Sequence, residues 1–333
     1  MKIIADKNIP FLRGRLEVAG VEVIYVDQFG FTPELVRDAD ALMIRTRTPV
    51  NAALLEGSSV KLVATATIGT DQIDFGYTDK AGITVCNAPG CNAPAVAQYV
   101  WSALLRMGFQ PGHHKLGVVG KGNVGRIVVE WGRLLGAEVL VCDPPRQRAG
   151  NTDENYLALD ELLTRVDAVT FHTPLTRGGR DATYHLAGAD ELALLHYEAL
   201  VVNAARGPVV DNKALLKEVA KGRLRAVVDT WENEPDLDID LLKKVDYGTF
   251  HIAGYSRQGK ERATRMVLEA VECFFGLTID KSGLEGPYVR PELLTAEKIV
   301  GSYDPEADTL ALRANPGSFD TLRNNYNLRE ETK

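Results

Sequence analysis

A glycine-rich turn between an apolar run and a helical pattern constrains this chain more than any other segment. Residues 116–119 are apolar and predict a buried parallel strand, and residues 123–135 predict a helix. The turn between them contains Gly120 and Gly122, and the first turn of the predicted helix contains Gly125. In such a unit the first glycine permits the turn, the second lets a pyrophosphate approach the backbone, and the third lets helix and strand pack closely. The helix start offers N–H groups to the phosphates. The segment therefore predicts a dinucleotide-binding βαβ unit.

The end of the next predicted strand indicates which dinucleotide is bound. Residues 138–142 form that strand, and Asp143 follows it. An acidic residue about 20 positions past the glycines accepts hydrogen bonds from the adenosine ribose. Its charge would repel the additional phosphate of NADP, so NAD is favoured. Lys121, between the glycines, is unusual, although its side chain can point away from the cofactor. The alternative is a glycine-rich turn in an α/β protein that binds no ligand.

Length and composition exclude several classes of protein. A chain of 333 residues predicts two domains, and 45% hydrophobic with 25% charged residues is typical of globular proteins. The net charge of −7 argues against a nucleic-acid partner. No apolar run approaches the ~20 residues that cross a bilayer, so no membrane association is expected. The start of the chain lacks a signal-peptide pattern, which predicts a cytoplasmic protein. No CxxC pair occurs, so a structural zinc site is not expected. No metal site is predicted elsewhere in the chain. The cysteines, expected to be reduced and mostly buried, are Cys86, Cys91, Cys142 and Cys273.

Strand-like and helical patterns alternate over most of the chain, which predicts an α/β protein with two Rossmann-like domains and doubly wound parallel sheets. Because the glycine motif lies in mid-chain, we expect a dinucleotide domain over residues 93–255, inserted into a substrate domain made of residues 1–92 and 256–280. Residues 281–333 are polar and rich in proline, and we expect a small C-terminal appendage there of the dimerisation type.

Three polar clusters follow predicted strands of the second domain, and ligands of such sheets lie beyond the carboxyl ends of the strands. The first contains Arg206, whose planar guanidinium matches a carboxylate; the alternative is a surface arginine paired with Asp211. The second contains Glu232 and Glu234, which would equally suit a solvated loop. The third contains His251, which could instead be a core histidine.

Together the three clusters supply what hydride transfer from an alcohol requires. A base must take the hydroxyl proton, and histidine suits because it titrates near neutral pH. A neighbouring carboxylate would orient the imidazole and favour its charged form. An arginine would hold a substrate carboxylate and polarise the oxygen on the reacting carbon.

The chain resembles the D-2-hydroxyacid dehydrogenase family from about residue 1 to 275. Besides the glycine motif, the markers are ATATIGTD at 64–71, NAPG at 87–90, HTPL at 172–175, NAARG at 203–207 and EP at 234–235. The resemblance implies that Arg206, Glu234 and His251 are catalytic. It also implies that the cofactor contacts come from Gly120, Gly122, Asn123, Val124, Gly125, Asp143, Thr173, Ala204, Ala205, Arg206, Asp229 and Gly254.

Within the family, the chain resembles the branch that oxidises 4-phospho-D-erythronate to its 2-oxo acid in vitamin B6 synthesis. The segments that carry this likeness are MIRT at 43–46, APGCNA at 88–93, CDPPR at 142–146, HIAGY at 251–255 and GSFDTLR at 317–323. The likeness implies a small phosphorylated hydroxy acid as substrate and a homodimer. It implies substrate contacts from Thr46, Thr67 and Tyr255, and we expect Arg45 or Arg47 to bind the phosphate.

The chain departs from the family pattern at Gln98, where the wider family often has Glu, and at Phe250, where a Pro usually precedes the histidine. The C-terminal segment is also shorter than in familiar members of the branch, which leaves the mode of dimerisation open. Two alternatives remain: a dehydrogenase of another 2-hydroxy acid, such as 3-phosphoglycerate or D-lactate, and a non-catalytic protein that senses NAD(H).

Overall fold

The computed structural model describes residues 1–332, which form two compact units. One unit comprises residues 1–92 and 256–289, and the other comprises residues 93–255 together with the chain from Arg290 onward. Each unit is built on one parallel β-sheet, of five strands in the first and six in the second. These sheets, with their connecting helices, confirm the predicted α/β class.

The first unit begins with five short strands that alternate with four short helices. The strands are β1 (Lys2–Asp6), β2 (Glu22–Val26), β3 (Ala41–Ile44), β4 (Leu62–Thr65) and β5 (Thr84–Cys86), and the helices are α1 (Arg15–Val18), α2 (Pro33–Val36), α3 (Ala52–Leu55) and α4 (Phe75–Lys80). The strand order is β2-β1-β3-β4-β5, with every pair parallel. The order reverses between β1 and β3, which is the usual place for a ligand beside a doubly wound sheet.

Residues 93–255 contain a long helix and then the βα units of the second sheet. The strands are β6 (Lys115–Val119), β7 (Glu138–Cys142), β8 (Ala168–Phe171), β9 (Leu200–Asn203), β10 (Arg225–Val228) and β11 (Tyr247–Gly248), and the helices are α5 (Ala93–Arg106), α6 (Asn123–Leu134), α7 (Pro144–Arg148), α8 (Leu159–Leu163), α9 (Ala189–Leu194), α10 (Asn212–Ala220) and α11 (Ile239–Lys244). The strand order is β11-β10-β9-β8-β6-β7, again all parallel. Strands β8 and β9 are buried at every position, because helices cover both faces of the sheet.

The last part of the chain supplies helices to both units. They are α12 (Arg257–Phe275), α13 (Ala296–Ser302), α14 (Pro305–Ala314) and α15 (Phe319–Asn324). Helix α12 lies in the first unit, where Val267, Leu268 and Val271 join the core beside Ile3 and Met43. Its helical pattern was recognisable in the sequence because its buried residues recur with helical spacing.

The C-terminal segment is divided between the two units. Residues 281–289 remain with the first unit, and the chain from Arg290 onward belongs to the second. Leu312 and Phe319 are buried in the main core cluster of that unit, together with Leu241 and Phe250. A segment with so few apolar side chains cannot build a core of its own, so it buries them on the nearest sheet.

Among the short helices of the first unit, α2 was predicted, over residues 32–37, whereas α1, α3 and α4 were not, because four to six residues are too few to show an apolar period. Their start signals are present nonetheless: the side chains of Thr32, Asn51 and Asp74 cap α2, α3 and α4 by accepting a backbone N–H of the first turn. Over residues 1–332 the longest apolar helical stretch falls short of what a bilayer crossing requires. The four cysteines carry free thiols, and burial raises the pKa of Cys142 to about 11.

Burial of the C-terminal helices can be tested on one helix. Leu312 is 0% exposed and Leu310 is 55% exposed, and both lie on α14. We expect Leu312→Ala to lower the free energy of unfolding of the second unit by about 2–5 kcal/mol, because it removes buried methyl groups and leaves a cavity. Urea unfolding followed by tryptophan fluorescence reports on this unit, since Trp101, Trp131 and Trp231 all lie in it.

The matched control is Leu310→Ala, which should change the free energy of unfolding by no more than about 0.5 kcal/mol because the side chain is already in water. Equal effects of the two substitutions would mean that α14 does not pack on the sheet as described.

Candidate active site

The three predicted catalytic residues follow three neighbouring strands of the second sheet. Strands β9, β10 and β11 pair in parallel, so their carboxyl ends lie at the same edge. Arg206 follows β9, Glu234 lies in the turn after β10, and His251 follows β11. The topology thus brings to one edge three side chains that are far apart in sequence.

A histidine–carboxylate pair forms at this edge. Nδ1 of His251 lies 2.8 Å from Oε2 of Glu234, and the two side chains are 29% and 20% exposed. The other oxygen, Oε1, accepts the backbone N–H of Trp231 at 2.8 Å. Burial raises the pKa of Glu234, but the charge and hydrogen bond of His251 and the hydrogen bond from Trp231 lower it, and the net shift is downward. Glu234 is therefore an ionised partner that orients the ring through Nδ1.

The backbone that carries His251 is held by the buried carboxylate of Asp229. Its Oδ1 accepts the N–H of Ile252 at 2.8 Å and the hydroxyl of Thr249 at 2.6 Å, and its Oδ2 accepts the N–H of Ala253 at 2.9 Å. His251 itself has φ +59°, a left-handed conformation that is uncommon outside glycine. These hydrogen bonds on both sides of His251 maintain that conformation.

The loop of Arg206 is fixed by an asparagine and a glycine. The amide of Asn203 donates to the carbonyls of Arg206 and Gly207 at 3.1 and 3.2 Å. A Cβ on Gly207 would lie 1.9 Å from the carbonyl oxygen of Trp231, so only glycine permits this approach. The loop of Arg206 is consequently packed against the turn that carries Glu234.

The second glutamate of that turn has a different role. Oε1 of Glu232 accepts the N–H of Asn212 at 2.9 Å and lies 3.1 Å from Nε2 of His185. The amide oxygen of Asn212 in turn accepts the N–H of Glu232 at 3.2 Å. Glu232 therefore ties the turn to α10, whereas Glu234 faces His251.

An arginine near the end of the chain supports the same loop, and the sequence did not indicate it. Nη1 of Arg329 donates to the carbonyl of Ile252 at 3.0 Å, and Nη2 donates to that of Ala253. Its Nε donates at 3.2 Å to the side-chain oxygen of Gln98 on α5. Gln98, where the wider family often has Glu, is fully buried and also donates to Ser302 at 2.8 Å. No periodic pattern or motif in the sequence marks Arg329.

The glycine turn has the close contacts expected of a dinucleotide site. Gly120 has φ +90°, and a Cβ there would lie 2.8 Å from the carbonyl oxygen of His172. A Cβ on Gly125 would lie 1.9 Å from the carbonyl oxygen of Gly120. A Cβ on Gly122 would meet no atom within 4 Å, which leaves open space over the turn. No side chain caps the N-terminus of α6, so the first-turn N–H groups, including those of Asn123 and Val124, face this turn.

The switch point of the second sheet contributes an unsatisfied hydroxyl. Oγ1 of Thr173, after β8, is buried and has no hydrogen-bond partner among residues 1–332. Its methyl group lies against Gly120, where an added Cβ would be 3.0 Å away. A buried hydroxyl usually finds a partner, so a polar ligand is the natural complement. His172 beside it is neutral, because burial lowers its pKa to about 3.

Asp143 lies at the end of β7, next to the glycine turn. Its Oδ2 accepts the N–H of Lys121 at 2.8 Å, and its Oδ1 accepts the N–H of Arg146 at 3.0 Å, capping α7. A carboxylate can accept further hydrogen bonds beyond these two, because its two oxygens together carry about four lone pairs. Three further predicted cofactor residues lie at the same edge of the sheet, after β9 and β11: Ala204, Ala205 and Gly254.

The predicted substrate residues are divided between the units. In the first unit, Arg45 and Thr46 follow β3, and Thr67 follows the adjacent β4, so all three lie at one sheet edge. The hydroxyl of Thr67 donates to the carbonyl of Gly69 at 2.9 Å. In the second unit, Tyr255 packs edge-on against Tyr326, with 6.1 Å between ring centroids.

Comparison with known proteins identifies the family. Residues 92–265 match the family model of the D-isomer specific 2-hydroxyacid dehydrogenase NAD-binding domain.

The chain belongs to the D-isomer specific 2-hydroxyacid dehydrogenase family.

Relatives in this family match the chain over almost its whole length. Erythronate-4-phosphate dehydrogenase of Bacteroides fragilis (strain ATCC 25285) is 45% identical over 99% of this chain and 97% of that protein. The enzyme of the same name from Escherichia coli K12 is 43% identical, over 99% of this chain and 92% of that protein. Among solved structures, the NAD⁺-bound 3-phosphoglycerate dehydrogenase of Entamoeba histolytica has the same fold, with a TM-score of 0.69, 24% identity, and coverage of 88% of this chain and 99% of that one.

The residues of the second unit fit the NAD that this family uses. The turn at Gly120 leaves room for a pyrophosphate, the hydroxyl of Thr173 has no protein partner, and Asp143 presents a carboxylate where an adenosine ribose would lie. The prediction of NAD as cofactor is confirmed by the family assignment, whereas the individual cofactor contacts stay predictions.

The close approach at Gly207 gives a test of the geometry of the site. Gly207→Ala must displace either the loop of Arg206 or the carbonyl of Trp231. Because a misplacement of about 1 Å can cost about 100-fold in rate, we expect kcat/KM to fall at least about 10-fold. The measurement is steady-state oxidation of a 2-hydroxy acid with NAD.

Gly178→Ala is the control, since a Cβ there meets no atom within 4 Å and should leave kcat/KM unchanged. Normal activity of Gly207→Ala would contradict the packing of the two loops.

Proposed function

We propose that this chain oxidises 4-phospho-D-erythronate at its 2-hydroxyl to (R)-3-hydroxy-2-oxo-4-phosphooxybutanoate, with NAD, in the synthesis of pyridoxal 5′-phosphate (vitamin B6). The observation that carries the proposal is the 45% identity over 99% of the chain with a relative named erythronate-4-phosphate dehydrogenase. The pairing of His251 with Glu234 supports it, because a non-catalytic NAD(H)-sensing protein would not require an oriented base.

In this proposal NAD supplies the hydride acceptor. His251 is the general base, and Nε2 takes the proton of the 2-hydroxyl because Nδ1 faces Glu234. Glu234 holds the ring in that tautomer and stabilises the imidazolium that forms. Arg206 binds the substrate carboxylate with its guanidinium and polarises the oxygen on the reacting carbon.

We assign the remaining substrate contacts to Thr46, Thr67 and Tyr255, and the phosphate to Arg45. Arg45 and Thr46 follow β3 and Thr67 follows β4, which supports a shared role because both strands end at one edge of their sheet. A phosphate dianion requires cations, and Arg45 is the arginine nearest to the end of β3.

We also propose that the chain acts as a homodimer in the cytoplasm. Val289 and Leu293, both on the C-terminal segment, are exposed large apolar side chains, and a partner subunit could cover them. The bacterial origin of the biosynthetic relatives supports the location.

The substrate assignment is tested by a direct comparison of substrates. The purified chain with NAD is given 4-phospho-D-erythronate, 3-phosphoglycerate or D-lactate, and NADH formation is followed by fluorescence. We expect kcat/KM for 4-phospho-D-erythronate to exceed the other two at least about 10-fold, because pocket contacts discriminate at about this level.

A higher kcat/KM with 3-phosphoglycerate or D-lactate would contradict the substrate and retain the chemistry. NADH binding without turnover of any of the three would support the sensing alternative instead.

The role of His251 is tested by His251→Ala. Loss of a general base should lower kcat by about 100-fold or more, while the dissociation constant of NADH stays within about twofold. The control is His196→Ala, since His196 is an exposed histidine of the same unit that pairs with Asp167 at 3.2 Å. Unimpaired kcat in His251→Ala would remove His251 from the mechanism.

A further inference from the structure

Lys121, within the glycine turn, has no part in the mechanism above, yet it is firmly held. Its side chain is only 11% exposed, and Nζ lies 2.8 Å from Oδ2 of Asp153 and 2.6 Å from Oε1 of Glu154. Its backbone N–H donates to Oδ2 of Asp143 at 2.8 Å. A lysine is therefore adjacent to the carboxylate proposed to bind the adenosine ribose, and its charge is directed to two other acids.

Arg146 occupies the equivalent place on the other side of Asp143. Its backbone N–H donates to Oδ1 of Asp143 at 3.0 Å. Its guanidinium lies 3.6 Å from Oδ2 of Asp153, through Nη2, and donates through Nε to the hydroxyl of Tyr156 at 3.3 Å. Tyr156 donates in turn to Oδ1 of Asp153 at 2.8 Å. Asp153 thus contacts Lys121 directly and Arg146 both directly and through Tyr156.

We propose that Asp153 determines the selectivity of this chain for NAD over NADP, because it withholds from a 2′-phosphate the two cations that flank Asp143. The proposal rests on the NAD site described above and goes beyond the part assigned to Asp143. Lysine and arginine side chains beside the carboxyl end of β7 are the groups that would bind a 2′-phosphate. With Asp153 in place, both cations are already paired.

The neighbouring Glu154 does not replace Asp153 in this role. Glu154 is paired with Arg133 through both oxygens, at 2.8 and 2.7 Å, in addition to its contact with Lys121. Asp153 contacts Lys121 and Arg146 and is partly exposed at the surface. The hydrogen bonds from Lys121 and then Tyr156 lower the pKa of Asp153 to about 2, so it is ionised over the whole working range of pH.

The charges around the proposed ribose site are balanced. Three cations face three carboxylates: Lys121, Arg133 and Arg146 against Asp143, Asp153 and Glu154. Removal of the Asp153 charge leaves a net positive charge beside the ribose, which a dianionic phosphate would neutralise. NAD lacks this phosphate, so its affinity should hardly change.

The test is the binding of NADH and NADPH to Asp153→Asn, measured by nicotinamide fluorescence. Asparagine keeps the size of the side chain and can still accept from Tyr156. We expect the affinity for NADPH relative to NADH to rise about 3- to 10-fold, a Coulombic effect at a partly exposed site. The control is Asp240→Asn on α11, which removes the same charge at an exposed pair with Lys243 and should leave the ratio unchanged.

Two further variants identify the groups responsible. Lys121→Met in the Asp153→Asn background should lose at least half of the gain, since it removes one of the two cations that Asp153 contacts. Asp143→Ala combined with Asp153→Asn should favour NADPH more than Asp143→Ala alone. Asp153→Ser, with thermal unfolding as a check, replaces Asp153→Asn if that variant does not fold.

An unchanged NADPH to NADH ratio in Asp153→Asn and Asp153→Ser, or a double variant no better than Asp143→Ala, would overturn the proposal. An equal rise in affinity for both cofactors would overturn it too, because no discrimination would have been removed. These measurements require no substrate, so the proposed substrate can fail without affecting them. Failure of the unaltered chain to bind NADH would reject the NAD site itself.

Discussion

The carboxylate of Asp229 is the interaction on which the geometry of the site most depends. It is 1% exposed and accepts hydrogen bonds from Thr249, Ile252 and Ala253, on both sides of His251. Without it, two buried N–H groups would lack an acceptor, at about 1–3 kcal/mol each. His251 has a left-handed backbone, and such a conformation persists only where the surroundings over-determine it. The position of the imidazole beside Glu234 therefore depends on Asp229. From the sequence, this buried acid was expected to contact the cofactor.

Much of the fold could be predicted because parallel strands buried on both faces leave apolar runs that the sequence displays. The glycine motif located β6 and α6, and the rule that ligands lie at strand carboxyl ends indicated the three clusters that contain Arg206, the pair Glu232 and Glu234, and His251. The choice between Glu232 and Glu234 could not be derived from spacing. It depends on the turn between them, where Asn233 has φ +62°, and on which backbone N–H each carboxylate accepts.

The C-terminal segment was the least predictable part, because prediction relied on apolar patterns and this segment has few apolar residues. Its apolar residues are few, and their period is weak, so nothing local indicates where they pack. Only the folded second unit offers a surface for Leu312 and Phe319, and only there does Arg329 reach the carbonyls of Ile252 and Ala253. A residue that acts through backbone carbonyls of another segment leaves no motif in the sequence.

In the second sheet, the proposed adenosine ribose site and the proposed catalytic residues follow strands that are far apart. Asp143 follows β7 at one edge strand, whereas the turn of Glu234 follows β10, four strand spacings away in the order β10-β9-β8-β6-β7. At about 4.8 Å per spacing this is roughly 19 Å, too far for a surface charge at Asp153 to act strongly on His251 across a Debye length of about 8 Å. In our proposal, cofactor selectivity can therefore change through Lys121, Arg146 and Asp153 while the proton transfer assigned to His251 is left intact. That separation follows from the topology, because a doubly wound sheet binds an extended dinucleotide across several strands.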